Sequence, residues 1–89
     1  MKDFKLFYLK SCPYCKKAIK YLDELRQENP AFQALELEWI EEKEQAELAD
    51  TFDYYYVPTF FYKDKKLFEG AMNKEDVQKV LQQVVDAQS

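Results

Sequence analysis

The chain has 89 residues, 47% of them hydrophobic and 17% aromatic, with a formal net charge of −4. That length predicts one domain with a single modest core, and the apolar content excludes a disordered tail. The acidic balance argues against nucleic acid and anionic membrane surfaces as partners, and no apolar run approaches the ~20 residues that cross a bilayer. The first residues, Met1 to Phe4, lack the apolar stretch of an export signal, so a cytoplasmic location is expected.

Lys5 to Leu9 is a short aromatic-rich apolar run that reads as a buried strand. Ser11 and Pro13 then suit the first turn of a helix, whose apolar stripe is Cys15, Ala18, Ile19, Leu22 and Leu25. Asn29-Pro30 ends it. Leu35 to Trp39 alternates apolar and polar and reads as a half-exposed strand. Glu41 to Glu44 reads as solvated surface. Glu44 to Phe52 is rich in helix formers.

The run Tyr54-Tyr55-Tyr56 is read as core packing in preference to a partner groove. Val57 to Tyr62 and Lys66 to Glu69 read as two strands joined by a polar turn at Lys63 to Lys65. Asn73 caps a last helix, with Asp76 completing a capping box and Val77, Val80, Leu81 and Val84 as its stripe. The order β-α-β-α-β-β-α predicts an α/β fold with one parallel and one antiparallel connection.

The two cysteines, Cys12 and Cys15, have two residues between them. A disulfide closing so short a loop constrains the unfolded chain little, so the spacing points to reactivity rather than to a structural staple. If the helix starts at Pro13, Cys12 is its N-cap. Unpaired N–H groups and the positive end of the helix dipole then favour its thiolate. Lys10, Lys16 and Lys17 are expected to add positive potential. Cys15, one turn further in, is placed to attack a mixed disulfide on Cys12. A structural zinc needs about four ligands, and two cysteines without histidine do not supply them. No metal is therefore expected, a metal or cluster shared between two chains being the alternative.

Cys12-Pro13-Tyr14-Cys15 after a strand resembles the active-site motif of dithiol glutaredoxins. Val57-Pro58, about 45 residues later, is similar to the Val-Pro element shared with thioredoxins. The resemblance covers nearly the whole chain. It implies a thioredoxin fold, a four-stranded mixed sheet flanked by three helices, with a cis Val57–Pro58 bond beside the cysteine pair. It also implies a disulfide reductase with no bound cofactor and glutathione as co-substrate. In that reading Cys12 is the nucleophile and Cys15 the resolving thiol. Tyr14, Val57, Pro58 and Lys10 contact substrate, and the Val57 backbone pairs with it as an added strand would. The expected partners are disulfide-containing proteins or glutathione and a reductase as electron donor, acting on a monomer.

The chain departs from both subfamilies. Leu6 stands where thioredoxins carry a buried aspartate, and Ser11 stands where they carry tryptophan. Leu9 stands where glutaredoxins carry a basic residue, and Tyr56 replaces the threonine before Val-Pro. Gly70-Ala71-Met72-Asn73-Lys74 lacks the acidic pair that helps glutaredoxins hold glutathione. The alternatives left open are a reductase linked to thioredoxin reductase and a partner-binding module with little redox turnover.

Overall fold

The computed structural model describes residues 2–89. Phe4–Tyr8 forms β1, and Pro13–Glu28 forms α1. Pro at the first helical position loses no hydrogen bond there, because that N–H has no intrahelical partner. The chain reaches Cys12 through a turn in which its N–H donates to Leu9 O at 3.2 Å. Asn29 ends α1 and also starts α2, Pro30–Gln33, by accepting a hydrogen bond from the Ala31 N–H at 2.9 Å. This short helix is a fourth helix where three were predicted. Asn29-Pro30 carries both a stop and a start, and four residues are too few to show a periodicity.

β2 spans Glu38–Glu41, three residues later than the alternation suggested. Leu35 and Leu37 are buried, but as an extended lead-in to the strand. α3 covers only Ala46–Ala49. β3 is Thr59–Tyr62, β4 is Lys65–Glu69 and α4 is Lys74–Gln88. The β3–β4 turn needs a left-handed residue, and Lys63 supplies it at φ 56°. Asn73 and Asp76 exchange the two hydrogen bonds of the predicted capping box.

The sheet order is β2-β1-β3-β4, with β1 parallel to β2 and antiparallel to β3, and β3 antiparallel to β4. Alternate residues of β1 face opposite sides. Phe4, Leu6 and Tyr8 meet α1, α2 and α4, in a core that includes Ala18, Leu22, Leu25, Phe32, Val77, Val80, Leu81 and Val84. Phe7 lies on the other side with Ile40, Phe61 and Ala49 of α3, supported by Phe52 and Tyr54. The Phe7 ring lies 4.9–5.6 Å from those of Phe52, Tyr54 and Phe61. Lys5 is buried on this aromatic side, its ammonium 5.5 Å from the centre of the Phe52 ring.

Candidate active site

β1 delivers the chain to the start of α1, so the cysteine pair sits at one end of the sheet. β3 runs antiparallel beside β1, with Thr59 opposite Phe7. The residues just before β3 therefore arrive at that same end. The Val57–Pro58 peptide bond there is cis, as expected. Pro58 is buried, and its carbonyl accepts the Gly70 N–H at 2.8 Å. That bond ties the exit from β4 to the proline loop. Among the described residues, the Val57 N–H and C=O have no backbone partner.

Cys12 is the N-cap of α1, with extended backbone angles of φ −85° and ψ 120°. Its side chain is partly exposed, whereas Cys15 is wholly buried on the inner stripe. Both are free thiols. The Cys12 sulfur faces the first turn without closing a full capping hydrogen bond. Burial alone would push its pKa up. The Cys15 N–H, the Cys15 side chain and the Tyr14 N–H outweigh that and hold it below the ordinary thiol value. The Cys15 thiol is pushed up to about 12, chiefly by burial and secondarily by the neighbouring Cys12 sulfur and Glu42. The Leu9 N–H donates to Cys15 Sγ at 3.5 Å and works against that rise. Two thiols one turn apart are thus displaced in opposite directions, because one meets the helix start and the other meets the core.

The groups that lower Cys12 belong to the first turn of α1. The Lys10 ammonium is paired with Glu44, in an ion pair more than half exposed on both sides. Glu41, expected on the solvated surface, is buried. It accepts hydrogen bonds from the N–H groups of Lys10 at 3.1 Å, Lys43 at 2.6 Å and Glu44 at 3.3 Å. The Lys10 N–H, outweighing burial, leads in holding the Glu41 carboxyl below its usual range. Glu41 thereby fastens the loop before Cys12 to the end of β2.

The tyrosine run divides. Tyr54 packs on Phe7 and donates its hydroxyl to Glu42 at 2.8 Å. Tyr55 and Tyr56 stand out at 83% and 70% exposure, against the predicted core packing, and Tyr14 is 57% exposed. The N–H groups of Tyr55 and Tyr56 both donate to the Glu69 carboxylate, which is also paired with Lys66 at 2.8 Å. Lys66 and these two N–H groups hold the Glu69 carboxyl down at about 2. The sequence reading passed over Glu41 and Glu69 as site-forming residues. The available signal was a carboxylate ending a strand beside a loop rich in unpaired N–H groups.

The family model for glutaredoxin matches residues 4–67. Solved structures give the same fold at low identity. A thioredoxin of Malassezia sympodialis (Mala s 13) is 19% identical with a TM-score of 0.72, over 94% of this chain and 77% of that one. A malarial protein is 17% identical with a TM-score of 0.68, over 90% and 92%. The germline-specific thioredoxin Deadhead of Drosophila melanogaster is 18% identical with a TM-score of 0.68, over 91% and 78%. No curated protein matches the chain. No helix among the described residues is long and apolar enough to cross a membrane.

Proposed function

Because the chain belongs to the glutaredoxin family and has a thioredoxin-like fold, we propose that it reduces disulfides by a dithiol mechanism in which Cys12 attacks and Cys15 resolves. The observation that carries this reading is the placement of the two sulfurs: Cys12 partly open at the start of α1, Cys15 closed off one turn inside it.

The Cys12 thiolate attacks one sulfur of a substrate disulfide, RS–SR′. A Cys12–SR bond forms, and R′S⁻ leaves and takes a proton from water. Cys15 then gives up its proton and attacks the Cys12 sulfur. The Cys12–Cys15 disulfide forms, and RS⁻ leaves and takes up the proton that Cys15 releases. Two electrons have moved from the dithiol to the substrate. Two molecules of glutathione, or a reductase supplying a thiol pair, return the protein to its starting state.

Burial discourages a free Cys15 thiolate, so the second step begins when the mixed disulfide brings a good leaving group against that sulfur. The lowered Cys12 pKa serves the first step, since the thiolate is the nucleophile.

Alkylation of the reduced protein against pH tests the assignment. Cys12 should react with a midpoint below the ~8.5 of a free thiol, and Cys15 should resist throughout the neutral range. Cys12→Ser should abolish turnover of any disulfide. Cys15→Ser should trap a mixed disulfide on Cys12 that mass spectrometry detects. An ordinary Cys12 midpoint together with full turnover by Cys12→Ser would remove the proposal.

A further inference from the structure

We propose that the face around Cys12 is built for an extended polypeptide carrying apolar or aromatic side chains beside its disulfide, and disfavours the anionic tripeptide glutathione. This rests on the disulfide-exchange reading and names the substrate class of that site.

Two features weigh against glutathione, which carries two carboxylates and one ammonium group. Lys10 is the cation nearest to Cys12 in the preceding loop, and Glu44 already neutralises it. The second is the start of α4, reached from Gly70, which is bound to Pro58. A helix N-terminus ordinarily offers N–H groups and a positive dipole end to an anion. Here Asn73 takes the Asp76 N–H at 2.8 Å, and Asp76 takes the Asn73 N–H at 3.1 Å. Glu75 and Asp76 add negative charge in that first turn. Lys74 is turned away to Glu24 and Glu28, at 3.3 and 2.9 Å. Lys10 and two of the N–H groups at the start of α4 are thus engaged from within the chain.

Two other features favour a peptide. The Val57 N–H and C=O, without a backbone partner, can bond an extended chain as a neighbouring strand does. Tyr55 and Tyr56 immediately precede that residue, and Tyr14 stands between the two cysteines. All three rings are exposed. Glu69 pins the backbone of Tyr55 and Tyr56, and Lys66 steadies Glu69 and also reaches the Asp53 carbonyl at 3.4 Å. The rings are therefore held out from an anchored loop, which lowers the entropy lost when they close on a partner. Aromatic rings held in this way suit apolar side chains on both sides of a peptide cystine.

The test is a single-turnover comparison, with pre-reduced protein mixed with oxidised substrate, quenched in acid and scored by mass for the Cys12–Cys15 disulfide. The probes are an eight-residue peptide whose cysteine is blocked with 2-mercaptoethanol and flanked by Leu and Phe, the same peptide flanked by Ser, and oxidised glutathione. The apolar peptide should react about ten-fold or more faster than either comparison, the range that apolar contacts supply. In Tyr55→Ser/Tyr56→Ser the ratio of apolar to Ser-flanked rates should collapse toward one. Glu44→Gln, which frees Lys10, should raise the rate with oxidised glutathione. Equal rates for oxidised glutathione and the apolar peptide would overturn the proposal while leaving disulfide exchange standing. So would a preference that survives the double substitution. Failure to oxidise with any of the three probes would remove both readings.

Discussion

The two sides of the sheet are built from different materials. One side is covered by the long helices α1 and α4, whose apolar stripes close over Phe4, Leu6 and Phe60. The other is covered by the four residues of α3 and a set of aromatic rings around Phe7 and Phe61. The helical side buries fourteen core residues, most of them aliphatic, against four on the other. The aromatic side is thinner and its rings continue into the Tyr54–Val57 loop. In the proposed reading the larger core and the substrate-facing loop lie on opposite sides of the sheet and meet at the end that carries Cys12.

Substitutions can break or sharpen that division. Leu22→Ala, in the fully buried helical face, should cost about 3 kcal/mol of unfolding free energy. It should leave the pH midpoint of Cys12 alkylation in place. Phe52→Ala, in the half-buried aromatic face, should cost only about 1.5–2 kcal/mol, since part of that ring already meets water. Removing it should loosen Tyr54 and the proline loop, seen as faster amide exchange at Tyr55 to Val57. Denaturant unfolding of the two variants decides the matter, and equal costs would dissolve the distinction between the faces.

Asn73→Ala should cost about 1 kcal/mol by removing the cap of α4. It should also open the Asp76 N–H at the helix start, so a rise in reactivity toward oxidised glutathione should accompany the loss in stability.

The effect of Glu69→Gln is expected to depend on pH. Glu69 titrates at about 2 in the folded protein, below the ~4.3 of a free glutamate. A depressed carboxylate stabilises the folded state fully above its unfolded value. That contribution is lost as pH falls toward the folded value. The stability gap between the wild type and Glu69→Gln should therefore hold above about pH 5 and close as pH falls from about 4 toward 2. A gap that stays constant through that window would show that the tyrosine loop is held by something other than this charge.

What the sequence made legible was what local chemistry decides. Asn73 and Asp76 announce the start of α4 because a capping box needs only four consecutive residues. Pro13 and Asn29 bound α1 for the same kind of reason. The contrast between an open and a buried sulfur followed from a helix start and a stripe, and the cis proline from the resemblance of Val57-Pro58 to the Val-Pro element of thioredoxins. β2 was displaced because Leu35 and Leu37 are buried whether the chain is a strand or an extended lead-in, so alternation alone does not date the first ladder bond. Glu41 and Glu69 were passed over as anchors because the loops they fasten, at Lys10 and at Tyr55-Tyr56, lie far from them in sequence. Tyr55 and Tyr56 were misplaced because a run of three aromatics ordinarily signals a core, whereas here their backbone is bonded to Glu69 and their rings face water.

The outer strands of the sheet have one further consequence. β2 and β4 each present an unpaired side to solvent, a template on which another chain can grow. Charged residues stand along both: Glu38 on β2, Lys65 and Lys66 on β4. Such residues make adhesion between sheets unfavourable. The backbone at Val57 bears no such guard. Charge discourages strand addition along the flanks and is absent at the unpaired peptide beside the sulfurs, so under the proposed activity a chain that adds to the molecule is steered to Cys12.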